Sequence, residues 1–142
     1  AKEYLAPLTH VIKEKDLTKA PRFVTFMDPA GYLWFEEYAG DISPMRVING
    51  HLYATLGIYD FWQVTGDHKA RDLFLGGVET IRHYFPDFRN PGAPSWYSLG
   101  TKGVDKAASK KYHGIVTQQI AYVGQVLGSQ ELQRDAQVLA GD

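Results

Sequence analysis

The 142 residues carry a net charge of −1, with 44% apolar and 22% charged residues. That balance fits one globular domain and excludes a global basic field for a polyanion, so an acidic ligand must be recognised locally. The chain has no cysteine, which removes disulfide and thiol chemistry. No apolar run reaches the roughly 18 residues of a membrane span, and no membrane contact by this segment is expected. The start, Ala1-Lys2-Glu3, carries no signal-peptide pattern. It fits a mature form or a cut fragment, and the compartment stays open.

Leu5 to Lys19 is polar and weakly periodic and fits a short helix ending before Pro21. Arg22 to Met27 is rich in β-formers. Asp28-Pro29-Ala30-Gly31 is a turn signal, because Pro presets φ and Gly tolerates positive φ. Tyr32 to Tyr38 reads as a second strand, so residues 22–38 form a β-hairpin. From Ser43 the period changes: Met45, Ile48, Leu52, Leu56, Tyr59 and Trp62 recur at three or four residues, which marks a helix. Ser43-Pro44 suits its start, Gly66 its end and Asp67 the next N-cap. A second helix is predicted from His68 to Tyr84, ending before Pro86. Asp87 to Lys111 reads as a long loop, of the kind that is usually functional. A third helix fits Tyr112 to Leu127 and a fourth Gln130 to Leu139.

A weak internal repeat supports this layout. A shift of 62 residues places His51, Thr55, Ile58, Gln63, Val64 and Gly66 on identical residues at 113, 117, 120, 125, 126 and 128. The repeat implies two stacked helical hairpins, each burying its apolar face on the other. The predicted fold is mainly α: helical hairpins of a partial (α/α) toroid over 43–142, preceded by the hairpin, in a single domain 1–142.

Trp34-Phe35-Glu36-Glu37-Tyr38 is followed by Val47-Ile48-Asn49-Gly50-His51 and Gly57-Ile58-Tyr59-Asp60. In order and spacing this resembles the Phe-Glu-Glu-Tyr, Val-Leu-Asn-Gly and Gly-Leu-Tyr-Asp run of heparosan-glucuronate C5-epimerases. Trp96-Tyr97-Ser98-Leu99 is similar to the family's Tyr-Asp-Leu element, and Lys111-Tyr112-His113-Gly114-Ile115 to its Asp-Tyr-His segment. The resemblance covers roughly Gly31 to Leu127. It implies a helical C-terminal domain whose substrate, a uronate-containing polysaccharide, lies in a cleft shared with a β-rich N-terminal domain of the same protein. The exposed toroid edge would be covered by that domain or by a second copy in a homodimer. The isolated chain is then expected to be inactive.

The implied reaction converts D-glucuronate to L-iduronate by removing the C5 proton and returning one from the opposite face, without a cofactor. Tyr can serve if its pKa of about 10 is lowered, and Glu if burial raises its own. By resemblance, Tyr38 and Glu37 form one catalytic pair and Tyr112 stands opposite. Tyr97 and Asn49 are substrate contacts. Lys110 and Lys111, with Lys102 and Lys106, make a basic loop before Tyr112 that can meet uronate carboxylates. The family's Arg after its Tyr-Asp-Leu element has no counterpart at Ser98-Leu99-Gly100, and Lys102 lacks the bidentate fork of Arg. That departure opens the choice of polymer beyond heparosan.

Plain structural readings stand beside these. An ideal strand points Glu37 and Tyr38 to opposite faces, so both reach one site only if the strand ends or bulges there. Tyr59 sits on the core stripe. His51 and His113 fall at equivalent repeat positions, which favours a structural role over metal binding, and no His, Asp and Glu set has metal-ligand spacing. Two other functions fit the same pattern: an α/α-toroid polysaccharide lyase, which shares the C5 proton abstraction, and a non-catalytic glycan-binding helical domain. No basic helix face with interleaved aromatics points to nucleic acid.

Overall fold

Asp28 anchors the first turn of the fold. Gly31 N donates to the Asp28 carbonyl at 3.0 Å, and Gly31 takes φ 92°, a left-handed conformation that costs glycine little. The computed structural model describes residues 2–19, 23–39, 43–100 and 106–142. Its elements run α1 (Lys2–Thr9), β1 (Val11–Lys13), a 3-10 turn (Glu14–Lys19), β2 (Thr25–Met27), β3 (Leu33–Phe35), α2 (Ile48–Thr65), α3 (His68–Phe88), α4 (Lys110–Leu127) and α5 (Gln130–Gly141). The molecule is mainly helical, with a small sheet ahead of four long helices. None of the described helices is long and apolar enough to cross a membrane.

The expected hairpin is present, with Phe26 opposite Trp34 in antiparallel register, but its strands are shorter than 22–38. Arg22 lies outside the described residues. The single helix expected within Leu5 to Lys19 is instead split into α1, β1 and the 3-10 turn. β1 pairs parallel to β2 and leaves Val11 and Lys13 exposed at the sheet edge. Three residues are too few to show a period of two.

The core is aromatic. Trp34, Phe26, Phe35, Phe74 and Phe88 are buried, each worth roughly 1.5–3 kcal/mol. A Cβ at Gly77 would lie 2.9 Å from the Phe35 ring and 2.7 Å from Thr55 Oγ1. The bare backbone there lets α3 close on both β3 and α2. The hairpin turn is tied to the same helix. Tyr84 Oη donates to Asp28 Oδ2 at 2.6 Å and Trp34 Nε1 to the same oxygen at 3.0 Å. Burial pushes the Asp28 carboxyl up, but the bonds from Tyr84, Tyr32 and Trp34 outweigh it and hold the group below the ordinary carboxylate range.

Two helix boundaries differ from expectation. α2 begins at Ile48 rather than at Ser43-Pro44. Arg46 has φ 50°, which no helix admits, and Leu99 N donates to its carbonyl at 3.2 Å, so residues 44–47 are drawn out along another segment. α3 runs through Pro86 to Phe88. Proline there removes only its own N–H bond, with two residues of helix left. Arg89 N then donates to Phe85 O at 3.0 Å, and Phe88 is anchored in the core. Ser109 accepts from Tyr112 N and so starts α4 two residues before Tyr112, which shortens the expected loop at both ends.

The repeat is physical. Gly66 (φ 67°) and Gly128 (φ 62°) end α2 and α4 in the left-handed conformation. Asp67 and Ser129 cap the next helices, α3 and α5. α2 therefore folds back on α3, α4 folds back on α5, and the two hairpins meet through α2 and α4. His51 Nδ1 accepts from Phe35 N at 3.1 Å and its Nε2 faces Gly77 O at 2.9 Å. His113 Nδ1 accepts from Ser95 N at 3.0 Å and its Nε2 faces Leu139 O at 2.9 Å. Both rings therefore carry the proton on Nε2, and each staples the two helices of its own hairpin to the segment before it.

Candidate active site

β3 stops at Phe35, and Glu36 organises the chain beyond it. The Glu36 backbone N–H makes a last sheet-like bond to Val24 O at 2.8 Å. Its buried carboxylate accepts from Tyr38 N at 3.4 Å and from Arg46 N at 3.2 Å. One side chain thus holds both ends of the stretch 38–46, of which residues 40–42 lie outside the described residues. Burial raises the Glu36 carboxyl above its ordinary range, and the backbone bonds from Arg46 and Tyr38 work against that rise. Arg46 is held in turn: its guanidinium lies 2.6 Å from Glu14 Oε2 and over the Phe26 and Trp34 rings.

The stretch 44–48 pairs with 97–100. Ile48 N donates to Tyr97 O at 3.2 Å, Gly100 N donates to Met45 O at 2.9 Å, and Val47 faces Ser98. A Cβ at Gly100 would collide with the Pro44 carbonyl and Met45 Cα, so only glycine allows this approach. On its other side the segment is braced by Tyr97 N to Lys106 O at 3.0 Å and Ala108 N to Ser95 O at 2.7 Å. Tyr97 is therefore fixed from both sides by backbone bonds.

Tyr38, Tyr97 and Tyr112 line one cleft of about 480 Å³, together with Met45, Ser98, Lys106 and Ser109. The Tyr97 and Tyr38 side chains lie close enough to interact, and the Tyr97 and Tyr112 rings meet edge to face at 5.6 Å. Burial, then the neighbouring Tyr38, then the charge of Glu37 push the Tyr97 phenol well above its ordinary pKa, so it keeps its proton. Tyr38 is 49% and Tyr112 40% exposed, which leaves both hydroxyl-bearing rings open to a ligand. Because β3 ends before Glu37 and Tyr38, strand alternation does not separate them, and both lie near enough to Tyr97 to act on its ionisation. Glu37 packs over the first turn of α2, where a Cβ on Gly50 would lie 2.9 Å from Glu37 Cβ and closer still to its carboxylate.

The remaining residues singled out from sequence fall elsewhere. Asn49 is buried in the first turn of α2 and is not part of the cleft wall; its carbonyl accepts from Gln119 Nε2 of α4 at 3.4 Å. Lys110 and Lys111 are exposed on the first turn of α4, outside the wall. Lys102 lies outside the described residues. Tyr59 packs against Trp62 and Phe74.

Residues 12–137 match the family described as D-glucuronyl C5-epimerase C-terminus, a span that holds all three cleft tyrosines. The chain belongs to that family. A stretch of 66 residues is 39% identical to an uncharacterized protein of Methanocaldococcus jannaschii; it covers 46% of this chain and 21% of that protein, so the match spans about a fifth of the relative's length. In this C5-epimerase C-terminal domain two positions take a more definite place around the cleft than sequence reasoning gave them. Glu36 looked like one of two solvated acids, although it sits at the strand end where backbone N–H groups need an acceptor. Lys106 was indistinguishable from its neighbouring lysines until the bridge between Trp96 and Ala107 set it on the wall.

Proposed function

We propose that this chain supplies the tyrosine-lined wall of a cleft that inverts C5 of a uronate in a polysaccharide, converting D-glucuronate to L-iduronate. The observation that carries this reading is the gathering of Tyr38, Tyr97 and Tyr112 around one cleft in a member of the C5-epimerase family. One phenol oxygen, as phenolate, takes the C5 proton, and the electron pair moves into the adjacent carboxylate. The phenol on the other face then gives its proton to C5 and becomes the phenolate. Each turnover exchanges the protonation states of the pair, and exchange with solvent resets them. Tyr38 and Tyr112 take these two roles. Tyr97 keeps its proton and donates to Tyr38, which steadies negative charge there, and Glu37 completes the pair with Tyr38. The second wall of the cleft comes from a β-rich part of the same protein, and the two hairpins are an arc of an (α/α) toroid.

The test incubates the protein containing this domain with a glucuronate polymer in heavy water. The expected result is deuterium at C5 with iduronate and intact chains. An unsaturated product with shortened chains would instead make the protein a lyase. Binding without exchange or cleavage would make the domain a non-catalytic glycan module.

A further inference from the structure

Among the described residues of the cleft wall, Lys106 is the one charged side chain. It is exposed, and among the described residues it forms no ion pair. Its backbone is nonetheless fixed, because its carbonyl accepts from Tyr97 N at 3.0 Å and the next residue, Ala107, bridges to Trp96. The lysine is therefore rooted on the rim beside Tyr97, with its ammonium group free to reach over the cleft. Ser98 belongs to the same wall, and its hydroxyl is buried with no hydrogen-bond partner among the described residues. Folded proteins leave few buried hydroxyls unsatisfied, and this one differs from the other unpaired buried groups, such as Thr25 Oγ1 and Gln119 Oε1, in lying at the cleft wall. At the far end of the wall, Ser109 caps α4, whose first turn carries partial positive charge.

We propose that Lys106 and Ser98 form a carboxylate-recognition subsite, with Lys106 supplying the counter-charge and Ser98 a directed hydrogen bond, so that the cleft takes a sugar acid in preference to a neutral sugar. This rests on the reading of the cleft as a uronate site and deepens it. A carboxylate that accepts the electron pair from C5 needs a cation and a donor at its oxygens. A guanidinium supplies both in one fork, whereas an ammonium is a point charge. A lysine with a neighbouring hydroxyl divides the same task between two side chains. Lys110 and Lys111, outside the wall, contribute only to the field around it.

The probe is a glucuronate-containing oligosaccharide, compared with the same oligosaccharide after its carboxylates are reduced to primary alcohols, each titrated into the protein containing this domain. Wild type is expected to bind the acid about tenfold or more tighter than the reduced sugar. Lys106→Gln should remove most of that preference while leaving the reduced sugar within about twofold, and Lys106→Arg should restore it. Ser98→Ala should weaken the acid by roughly threefold to tenfold without lowering the melting temperature, a change that a purely structural serine would not produce. Equal binding of the two sugars by wild type, no binding of either, or unaltered acid binding by Lys106→Gln would each overturn the subsite. The two readings part under C5 exchange. Normal exchange at unchanged KM in Lys106→Gln removes the subsite and leaves the epimerase. Lost acid preference in that variant, with no exchange in wild type, removes the epimerase and leaves the subsite.

Discussion

His51 and His113 do the same work in successive hairpins: each donates from Nε2 to a carbonyl 26 residues further on, Gly77 for one and Leu139 for the other, at 2.9 Å in both cases. Thr55 and Thr117, one turn later, both donate back to the carbonyl of their own histidine. The histidines are thus staples between helices, and their ring nitrogens are already used.

That staple has a pH signature. Burial pulls the His51 pKa down to about 4, with the Gly77 bond opposing it. The unfolded chain takes up the proton near pH 6.5, the folded chain only near 4, so in that window the unfolded state binds more protons. Stability is complete above about pH 6.5 and falls as pH drops toward 4, by about 3 kcal/mol in all. His51→Gln should be less stable at pH 7 by about 1–3 kcal/mol and should lose this part of the slope. Urea unfolding of both proteins from pH 4 to 7 checks it; parallel profiles would rule out the buried neutral ring.

Tyr38→Phe and Tyr112→Phe each remove one hydroxyl from a half-exposed ring. C5 exchange is expected to fall by about 10²–10⁴-fold with melting temperatures within a degree or two of wild type. Tyr97→Phe should also slow exchange, but less, because the proposed role of Tyr97 is to steady its neighbour Tyr38 rather than to meet C5. Equal losses at all three positions would argue against that division.

Gly50→Ala sets helix propensity against the cleft. Alanine in the first turn of α2 gains about 1 kcal/mol over glycine, but its Cβ occupies the place of the Glu37 side chain. Global stability should change by less than about 1 kcal/mol, while C5 exchange drops about tenfold or more as Glu37 is displaced. Thermal melting and exchange on the same sample measure the two effects. Undiminished exchange would show that Glu37 does not need its seat on α2.

Glu36→Ala leaves the Tyr38 and Arg46 N–H groups without their acceptor. A loss of about 1–3 kcal/mol is expected, with a larger loss of exchange, since Tyr38 is no longer held near Tyr97. Glu36→Gln keeps an acceptor oxygen and should recover much of both. Calorimetry and deuterium incorporation read the two separately.

The helices were legible wherever a cap stated the boundary: Gly66-Asp67 and Gly128-Ser129 stand where expected, because a left-handed residue followed by a capping oxygen admits little else. The start of α2 was not legible. Pro44 and the apolar period pointed to a helix there, and only the long-range ladder to Ser98 and Gly100 overrides them. β1 escaped for the same kind of reason, since a three-residue strand exists through its partner β2. At the site, Tyr38, Tyr97 and Tyr112 were singled out through resemblance, and the three line one cleft. The position of Lys106 and the bonding of Glu36 depend on which backbone groups a folded loop leaves to be satisfied, and local composition does not record that.

The cleft lies where the two helical hairpins of the repeat meet the segments around them. Tyr38 and Glu37 enter with the first repeat, Tyr112 opens the second, and Tyr97 sits in the segment that joins them. The width of the cleft is therefore a stacking dimension, tied to how α2 rests on α4 and to the Gln119 to Asn49 bond between them. Packing changes deep in that interface, with no atom in the cleft, would widen or narrow the spacing between opposing phenols as surely as a substitution among the tyrosines themselves.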